Sequence, residues 1–126
     1  MDTDKGAGLV RITERIIGCA FEVGNELGPG FLEKLYENAI AHELRLAGLA
    51  VEQQHGITVR YKGVIIGEYT ADLLVERAVV VELKAVRALD EVHHAQCLNY
   101  LKATGLRVCL LLNFAKPRVE VKRFMM

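Results

Sequence analysis

Three charged residues interrupt apolar stretches of the chain, and their spacing suits a site for a cation. Glu82 and Lys84 lie two positions apart in the apolar run 78–85, so in a β-strand both side chains leave the same face. Asp72 lies ten residues before Glu82, and a hairpin turn near Glu76-Arg77 would set the two carboxylates side by side. Burying such charges is costly unless they meet a partner, a metal or solvent.

This trio has the chemistry of a Mg²⁺ or Mn²⁺ site that acts on a phosphate ester. Mg²⁺ takes one or two carboxylates and keeps several waters, as Asp72 and Glu82 would allow. The cation would stabilise charge in the transition state and lower the pKa of a bound water. Lys84 could orient that water or help to remove its proton. The alternative is a structural salt bridge between Glu82 and Lys84 at a strand end, because so short a pattern also arises by chance.

Two predicted helices carry further polar residues. Glu33 and Tyr36 are three positions apart and Gln96 and Tyr100 are four apart, so each pair lies near one face of its helix. Alternatively, Glu33 is a solvated charge and both tyrosines lie at the edge of the core. The adjacent pair His93-His94 points in directions about 100° apart and has no third ligand spaced for zinc. We interpret these histidines as solvated helix residues.

Apolar periodicity predicts the two helices that begin the chain. Ile12, Ile16, Ala20, Val23 and Leu27 recur at helical spacing, which predicts a first helix from about Leu9 to Leu27. Gly28-Pro29-Gly30 ends it, because glycine accepts the left-handed conformation and proline cannot continue a helix. A second helix follows from Phe31 and ends at Gly48.

The remaining pattern predicts five strands and one more helix, in the order α-α-β-β-β-α-β-β. From Val51 the pattern changes to that of an antiparallel hairpin: Ile57, Val59 and Tyr61 alternate with polar residues, Lys62-Gly63 is a turn, and the stretch 64–75 is β-branched. The run 78–85 is typical of a central strand covered on both faces. Three further elements complete the order: a helix capped by Asp90 and ended by Gly105, a buried strand over 107–114, and an edge strand over 119–124.

Composition limits the class of protein. A chain of 126 residues with 52% hydrophobic and 25% charged residues fits one packed domain, 1–126. The acidic start of the chain is unlike a secretory leader, and no apolar run is long enough to cross a membrane. Cys19, Cys97 and Cys109 lie in apolar surroundings without metal-ligand spacing, which indicates reduced thiols in a cytoplasmic protein.

Charge is balanced overall and uneven along the chain. Sixteen basic and sixteen acidic residues give zero net charge, so any nucleic-acid contact must come from a local patch. Residues 1–50 carry five basic and eight acidic side chains, whereas residues 88–126 carry six and three. The two ends could pair within the fold or between subunits, or they could form an ordinary solvated surface. A homodimer would bring together two basic tails, each with Lys116, Arg118, Lys122 and Arg123.

The chain resembles a known family over nearly its whole length. The stretch Gly30-Phe31-Leu32-Glu33-Lys34-Leu35-Tyr36 has the pattern of the GxxExxY proteins, a bacterial and archaeal group placed in the PD-(D/E)XK nuclease-like superfamily. The likeness extends through the Asp72 and 81–84 stretches to 111–114. It implies an α/β fold with a restriction-endonuclease-like core (α-β-β-β-α-β), an extra N-terminal helix and a C-terminal edge strand.

The resemblance also implies roles for individual residues. Asp72 and Glu82 would bind the metal, Lys84 would be the catalytic lysine, and Glu33 would be the helical acidic residue that completes the site. Gln96 and Tyr100 match the QxxxY element found beside the metal in some superfamily nucleases, and Tyr36 closes the GxxExxY pattern. Two positions depart: Ala71 replaces the proline of the PD signature, and Gly24 stands where many members carry histidine, so no role for that histidine transfers.

These observations support one function and leave two others open. The main hypothesis is a Mg²⁺- or Mn²⁺-dependent nuclease that hydrolyses DNA or RNA by attack of a metal-activated water. The second is a catalytically silent nucleic-acid-binding or regulatory module on the same fold, because the chain has no separate binding domain and no net positive charge. The third is a small-molecule or protein-partner module in which the charged site is structural.

Overall fold

The helices and strands follow the predicted order in the computed structural model, which describes the backbone of residues 2–126 and the side chains of residues 8–126. The first helix begins earlier than predicted, and the second begins at Glu33 rather than at Phe31 because Leu32 is still extended. The elements are α1 (Asp2–Leu27), α2 (Glu33–Leu46), β1 (Val51–Tyr61), β2 (Val64–Val75), β3 (Val79–Lys84), α3 (Glu91–Thr104), β4 (Val108–Asn113) and β5 (Glu120–Met125).

The five strands form one mixed sheet in the order β1-β2-β3-β4-β5. Neighbouring strands are antiparallel except β3 and β4, which are parallel and are joined through α3. All six residues of β4 are buried, as are all residues of β3 except Lys84, which is half-buried. The near-continuous apolar runs of these strands therefore correctly predicted the centre of the sheet, and β5 lies at one edge.

Helices cover the sheet on both faces. One cluster of buried side chains joins α1 and α2 to the sheet through residues such as Ile16, Ile40 and Leu110. A second cluster joins α3 to the other face through Leu101 and Leu111, among others. Strands β3 and β4 contribute side chains to both clusters, because successive residues point to opposite faces.

Tyr36 fixes the connection between α1 and α2. Its hydroxyl donates a hydrogen bond to the carbonyl oxygen of Gly28, and it accepts one from the backbone N–H of Phe31 at 3.1 Å. Its ring stacks on Phe114 at the end of β4, with centroids 4.7 Å apart and planes 13° apart. Gly28 and Gly30 have φ of 69° and 113°, a region that favours glycine. Tyr36 therefore holds the start of α2 against the sheet.

Candidate active site

The ladder between β2 and β3 ends where the two predicted carboxylates begin. Leu73 pairs with Val81, so continuing the register would set Asp72 opposite Glu82, but the paired positions stop there. Side chains replace the missing ladder bonds: the Asp72 N–H donates to Glu82 Oε1 at 3.2 Å, and the Leu83 N–H donates to Asp72 Oδ2 at 2.8 Å. These crossed bonds hold Asp72 and Glu82 together at the separating strand ends.

Glu82 lies in an environment that opposes its negative charge. Only 4% of the residue is exposed, and burial, followed by the charge of Asp72, raises the pKa of Glu82 to about 9. The hydrogen bond from the Asp72 N–H and the charge of Lys84 act in the opposite direction but are weaker. The carboxyl therefore favours its protonated form at neutral pH unless a positive charge binds beside it.

Lys84 lies on the same face of β3 as Glu82 and is half-buried. No Asp or Glu oxygen in the described part of the chain lies within salt-bridge distance of its ammonium group. The structural alternative considered above, a salt bridge between Glu82 and Lys84, is therefore not formed. An ammonium group that acts on Glu82 without being bound to it keeps its three donors for another molecule.

Gln54 has an unusual backbone conformation directly across from Asp72. The pairs Gln53–Leu73 and His55–Ala71 flank it, so the register sets Gln54 opposite Asp72. Its φ of 54° is left-handed, which is uncommon for a residue other than glycine and costs about 1–3 kcal/mol. Its side-chain amide donates to Glu37 Oε1 at 2.6 Å and makes a long contact of 3.4 Å with Asp72 Oδ1.

Glu37 is the helical carboxylate that the structure links to Asp72. It is buried on α2 and accepts hydrogen bonds from the side chains of Lys34 and Gln53, at 2.9 and 2.8 Å, in addition to that from Gln54. Glu33, the helical acid that the family resemblance implied, is the exposed first residue of α2, one turn earlier. Sequence reasoning missed Glu37, although the four-residue spacing from Glu33 sets both on one helix face.

Helix α3 brings Tyr100 to the site and holds Gln96 one turn away. The Tyr100 hydroxyl donates to the carbonyl oxygen of Thr70 at 3.2 Å, and its ring meets Tyr69 edge to face at 5.4 Å. Burial, together with the charges of Glu82 and Asp72, raises the pKa of Tyr100, so its hydroxyl remains a donor. Gln96 is half-buried and makes no side-chain hydrogen bond among the described residues.

The donor set at this site suits a hard divalent cation. No three His, Cys, Asp or Glu side chains among the described residues are grouped closely enough to hold a metal ion. Asp72 and Glu82 still supply the two carboxylates that Mg²⁺ accepts alongside water. Asp72 Oδ2 and Glu82 Oε1 are used by backbone N–H groups. Their second oxygens remain, because Asp72 Oδ1 has only the long Gln54 contact and Glu82 Oε2 has no hydrogen bond among these residues.

The histidines have structural contacts that the sequence did not reveal. His93 is not simply solvated: its Nδ1 accepts a hydrogen bond from the Asp90 N–H and completes the capping box of α3. His94 packs against the ring of Phe124 at 5.4 Å. His55 Nδ1 lies 2.8 Å from Glu52 Oε2. The interpretation of His93-His94 as solvated residues was wrong, because both are half-buried: His93 is held in the cap at the start of α3, and His94 packs on β5.

Comparison with protein families agrees with this geometry. The family model of the PD-(D/E)XK nuclease superfamily matches residues 10–124, and the chain belongs to this superfamily. The predicted α/β fold with a restriction-endonuclease-like core is thereby confirmed. A comparison with curated proteins found no match. No helix in residues 2–126 is long and apolar enough to cross a membrane.

The fold also resembles a solved structure. The crystal structure of SSO0001 superposes with a TM-score of 0.54 at 18% sequence identity. The match covers 73% of this chain and 48% of that one, so the chain spans about half the length of the related structure. At this identity the likeness concerns the fold alone.

Proposed function

We propose that this protein is a metal-dependent nuclease that hydrolyses phosphodiester bonds in DNA or RNA. The observation that carries the proposal is the crossed pair of hydrogen bonds that holds Asp72 and Glu82 together beside Lys84, which forms no salt bridge with any described residue. Membership of the PD-(D/E)XK nuclease superfamily supports a nuclease-like function. The pattern from Gly30 to Tyr36 further supports the GxxExxY group within it.

In this proposal Asp72 and Glu82 hold Mg²⁺ or Mn²⁺. The bound cation would supply Lewis-acid stabilisation of charge on the phosphoryl oxygens. Glu82 would hold the cation as a carboxylate, because the positive charge would offset the burial and the charge of Asp72 that raise its pKa. Lys84 places its Nζ donors beside the reacting phosphate and orients the attacking water.

The other predicted residues act around these three in the proposal. Tyr100 fixes the backbone of β2 two residues from Asp72 through its bond to Thr70. Gln96 supplies a half-buried amide that can bind water or substrate. On α2, Glu33 and Glu37 are both carboxylates of the site, and Glu37 acts on Asp72 through Gln54.

The direct test is cleavage of labelled single- and double-stranded DNA and RNA with and without Mg²⁺ or Mn²⁺. We expect cleavage that requires the cation and is lost in Asp72→Ala and Lys84→Ala variants that keep the wild-type circular dichroism spectrum. Lys62→Ala, an exposed lysine in the turn between β1 and β2 and ten residues before Asp72, controls for removal of an ammonium group as such. Equal cleavage by wild type and both site variants would show a contaminant and contradict the proposal.

A catalytically silent binding module is the alternative result of that test. The specific observation in its favour is that one oxygen of each carboxylate is already held by a backbone N–H. Cation-independent binding of nucleic acid without cleavage, under conditions where the cation binds, would establish this alternative.

Assembly and compartment complete the proposal. We place one nuclease-like domain in residues 1–126 and a homodimer as its working form, with exposed basic residues of β5 such as Lys122 and Arg123 adding to the shared surface. We place the protein in the cytoplasm, a compartment that keeps thiols reduced. The free thiols of Cys19, Cys97 and Cys109 support this placement. Sedimentation of the purified protein tests the dimer.

A further inference from the structure

A groove lies between the β1–β2 hairpin and α3, on the face of the sheet that carries Tyr100. Its volume is about 540 Å³, within the range of sites that hold a small ligand or a single nucleotide. The groove is lined by Thr58, Val59, Arg60, Tyr69, Asn99, Lys102 and Ala103.

The side chains of this groove are cationic and aromatic. Arg60 and Lys102 are exposed, and neither forms a salt bridge within the described part of the chain. Tyr69 is 42% exposed, although one edge of the ring packs against Tyr100. The side chain of the neighbouring acid, Glu68, points to the opposite face of the hairpin, because successive strand residues alternate. No carboxylate lines the groove, so it favours an anionic ligand.

The groove shares strand β2 with Asp72. Tyr69 precedes Asp72 by three residues, which is about 10 Å along a β-strand. The hydrogen bond from Tyr100 to the Thr70 carbonyl joins the wall of the groove to β2 between these two positions. Ala71 and Leu74 both pack in the cluster under α3, so the alternation of β2 breaks between them and Asp72 lies on the same face as Tyr69. A nucleic-acid strand with one phosphate at Asp72 would therefore reach the groove along this face.

We propose that this groove binds a single-stranded segment of DNA or RNA flanking the phosphate that is cleaved, an inference that rests on the proposed function. Arg60 and Lys102 contact backbone phosphates, and the exposed face of Tyr69 stacks on one base. Asn99 offers an amide to the edge of that base. A single strand is preferred because a base must leave its duplex stack before an aromatic ring can stack on it.

The test measures binding by fluorescence anisotropy, with EDTA present to separate binding from cleavage. Labelled single-stranded DNA and RNA and the matching duplex are titrated at several salt concentrations. We expect tighter binding to the single strands. We expect Arg60→Ala/Lys102→Ala to weaken binding and to reduce the slope of log K against log salt by about 1.4.

Two matched variants make the result specific. Arg11→Ala/Arg15→Ala removes the same charge from the exposed side of α1, on the other face of the sheet from the groove, and should change affinity much less. Tyr69→Ala should weaken binding by about 5- to 100-fold, whereas Tyr69→Phe keeps the ring and should retain binding. Thermal unfolding of each variant checks that the fold is intact.

The outcomes separate this inference from the proposed function. The proposed role of the groove would be overturned by any of three results: equal weakening by the two double variants, equal affinity for the duplex, or no effect of Tyr69→Ala. Groove-dependent binding without cleavage in any cation would support the groove and contradict hydrolysis. If the wild type binds no nucleic acid even at low salt, the groove is overturned as well, and cleavage of the same strands decides the proposed function separately.

Discussion

The burial that makes the charge of Glu82 unfavourable also prepares this residue to bind a cation. The carboxyl is 4% exposed and next to a second carboxylate, so its pKa rises to about 9. A cation between Asp72 and Glu82 would remove both causes, because it offsets the desolvation and the repulsion together. The metal-free protein therefore stores at this residue an unfavourable free energy that a cation can relieve.

This raised pKa predicts a stability that falls with rising pH. An unfolded Glu82 loses its proton near pH 4.5, whereas the folded carboxyl holds it up to about pH 9. Between these values the unfolded state binds fewer protons, so the free energy of unfolding declines by up to about 1.4 kcal/mol per pH unit. Glu82→Gln keeps the acceptor for the Asp72 N–H and has no such proton. In EDTA, denaturant unfolding should show that the free energy of unfolding of Glu82→Gln rises relative to that of wild type from pH 5 to pH 8. Parallel pH curves for the two proteins would contradict the raised pKa of Glu82.

The contacts of Gln54 predict which carboxylate of α2 affects metal binding. Its amide joins Glu37 to Asp72, and residues that orient a metal ligand usually change affinity by 10- to 100-fold. We expect Gln54→Ala and Glu37→Gln to weaken Mn²⁺ binding by about this factor. Glu33→Gln, at the exposed start of α2 and outside this chain of hydrogen bonds, should weaken Mn²⁺ binding less. Isothermal titration calorimetry measures all three, and an equal loss in Glu33→Gln would contradict the special role of Glu37.

At the scale of the elements, local periodicity predicted nearly all of the architecture. The runs 78–85 and 107–114 are apolar because β3 and β4 are covered on both faces, and this signal needs no knowledge of partners. The separation of β2 from β3 at Asp72 depends on which side chains capture the freed N–H groups. The left-handed Gln54 and the buried Glu37 depend on each other across elements. Such contacts leave no periodic pattern in the sequence. The sequence therefore predicted that Asp72, Glu82 and Lys84 lie on adjacent strands, but it did not predict their contacts with Gln54 and Glu37.

The packing of α1 accounts for the glycine at position 24 and gives a test. A Cβ at Gly24 would collide with the Val119 side chain, which is buried beside the helix. Overpacking of this kind costs about 1–3 kcal/mol, more than the 0.8–1.0 kcal/mol that alanine gains over glycine in a helix. We therefore expect Gly24→Ala to destabilise the protein in denaturant unfolding.

Gly18 is the matched control for that substitution. It lies on the exposed side of the same helix, and a Cβ there would meet no atom within 4 Å. Gly18→Ala should stabilise the protein by up to about 1 kcal/mol. A double-mutant cycle of Gly24→Ala with Val119→Ala should show coupling of about 0.5 kcal/mol or more. Stabilisation by both glycine substitutions would mean that the Val119 side chain moves aside without loss of stability.

For the whole molecule, the position of the charges matters more than their sum. The chain has zero net charge, so long-range attraction cannot hold a polyanion. The sheet compensates by bringing Asp72, Glu82 and Lys84 to one region, with Arg60 and Lys102 in the adjoining groove. Contact with a nucleic acid is thereby local, and we expect it to be steeply weakened by salt.

Because a ligand that binds only the folded state stabilises the entire fold, cation binding should appear in global unfolding. At 100 times the dissociation constant the gain is about 2.7 kcal/mol, which for a chain of this size raises Tm by about 10 °C. The shift should increase from pH 6 to pH 8, since the cation competes with the proton on Glu82. Asp72→Ala should abolish it, whereas Lys84→Ala keeps both carboxylates and should retain it. Differential scanning calorimetry with Mg²⁺ and Mn²⁺ measures this, and an undiminished shift in Asp72→Ala would place the cation elsewhere on the molecule.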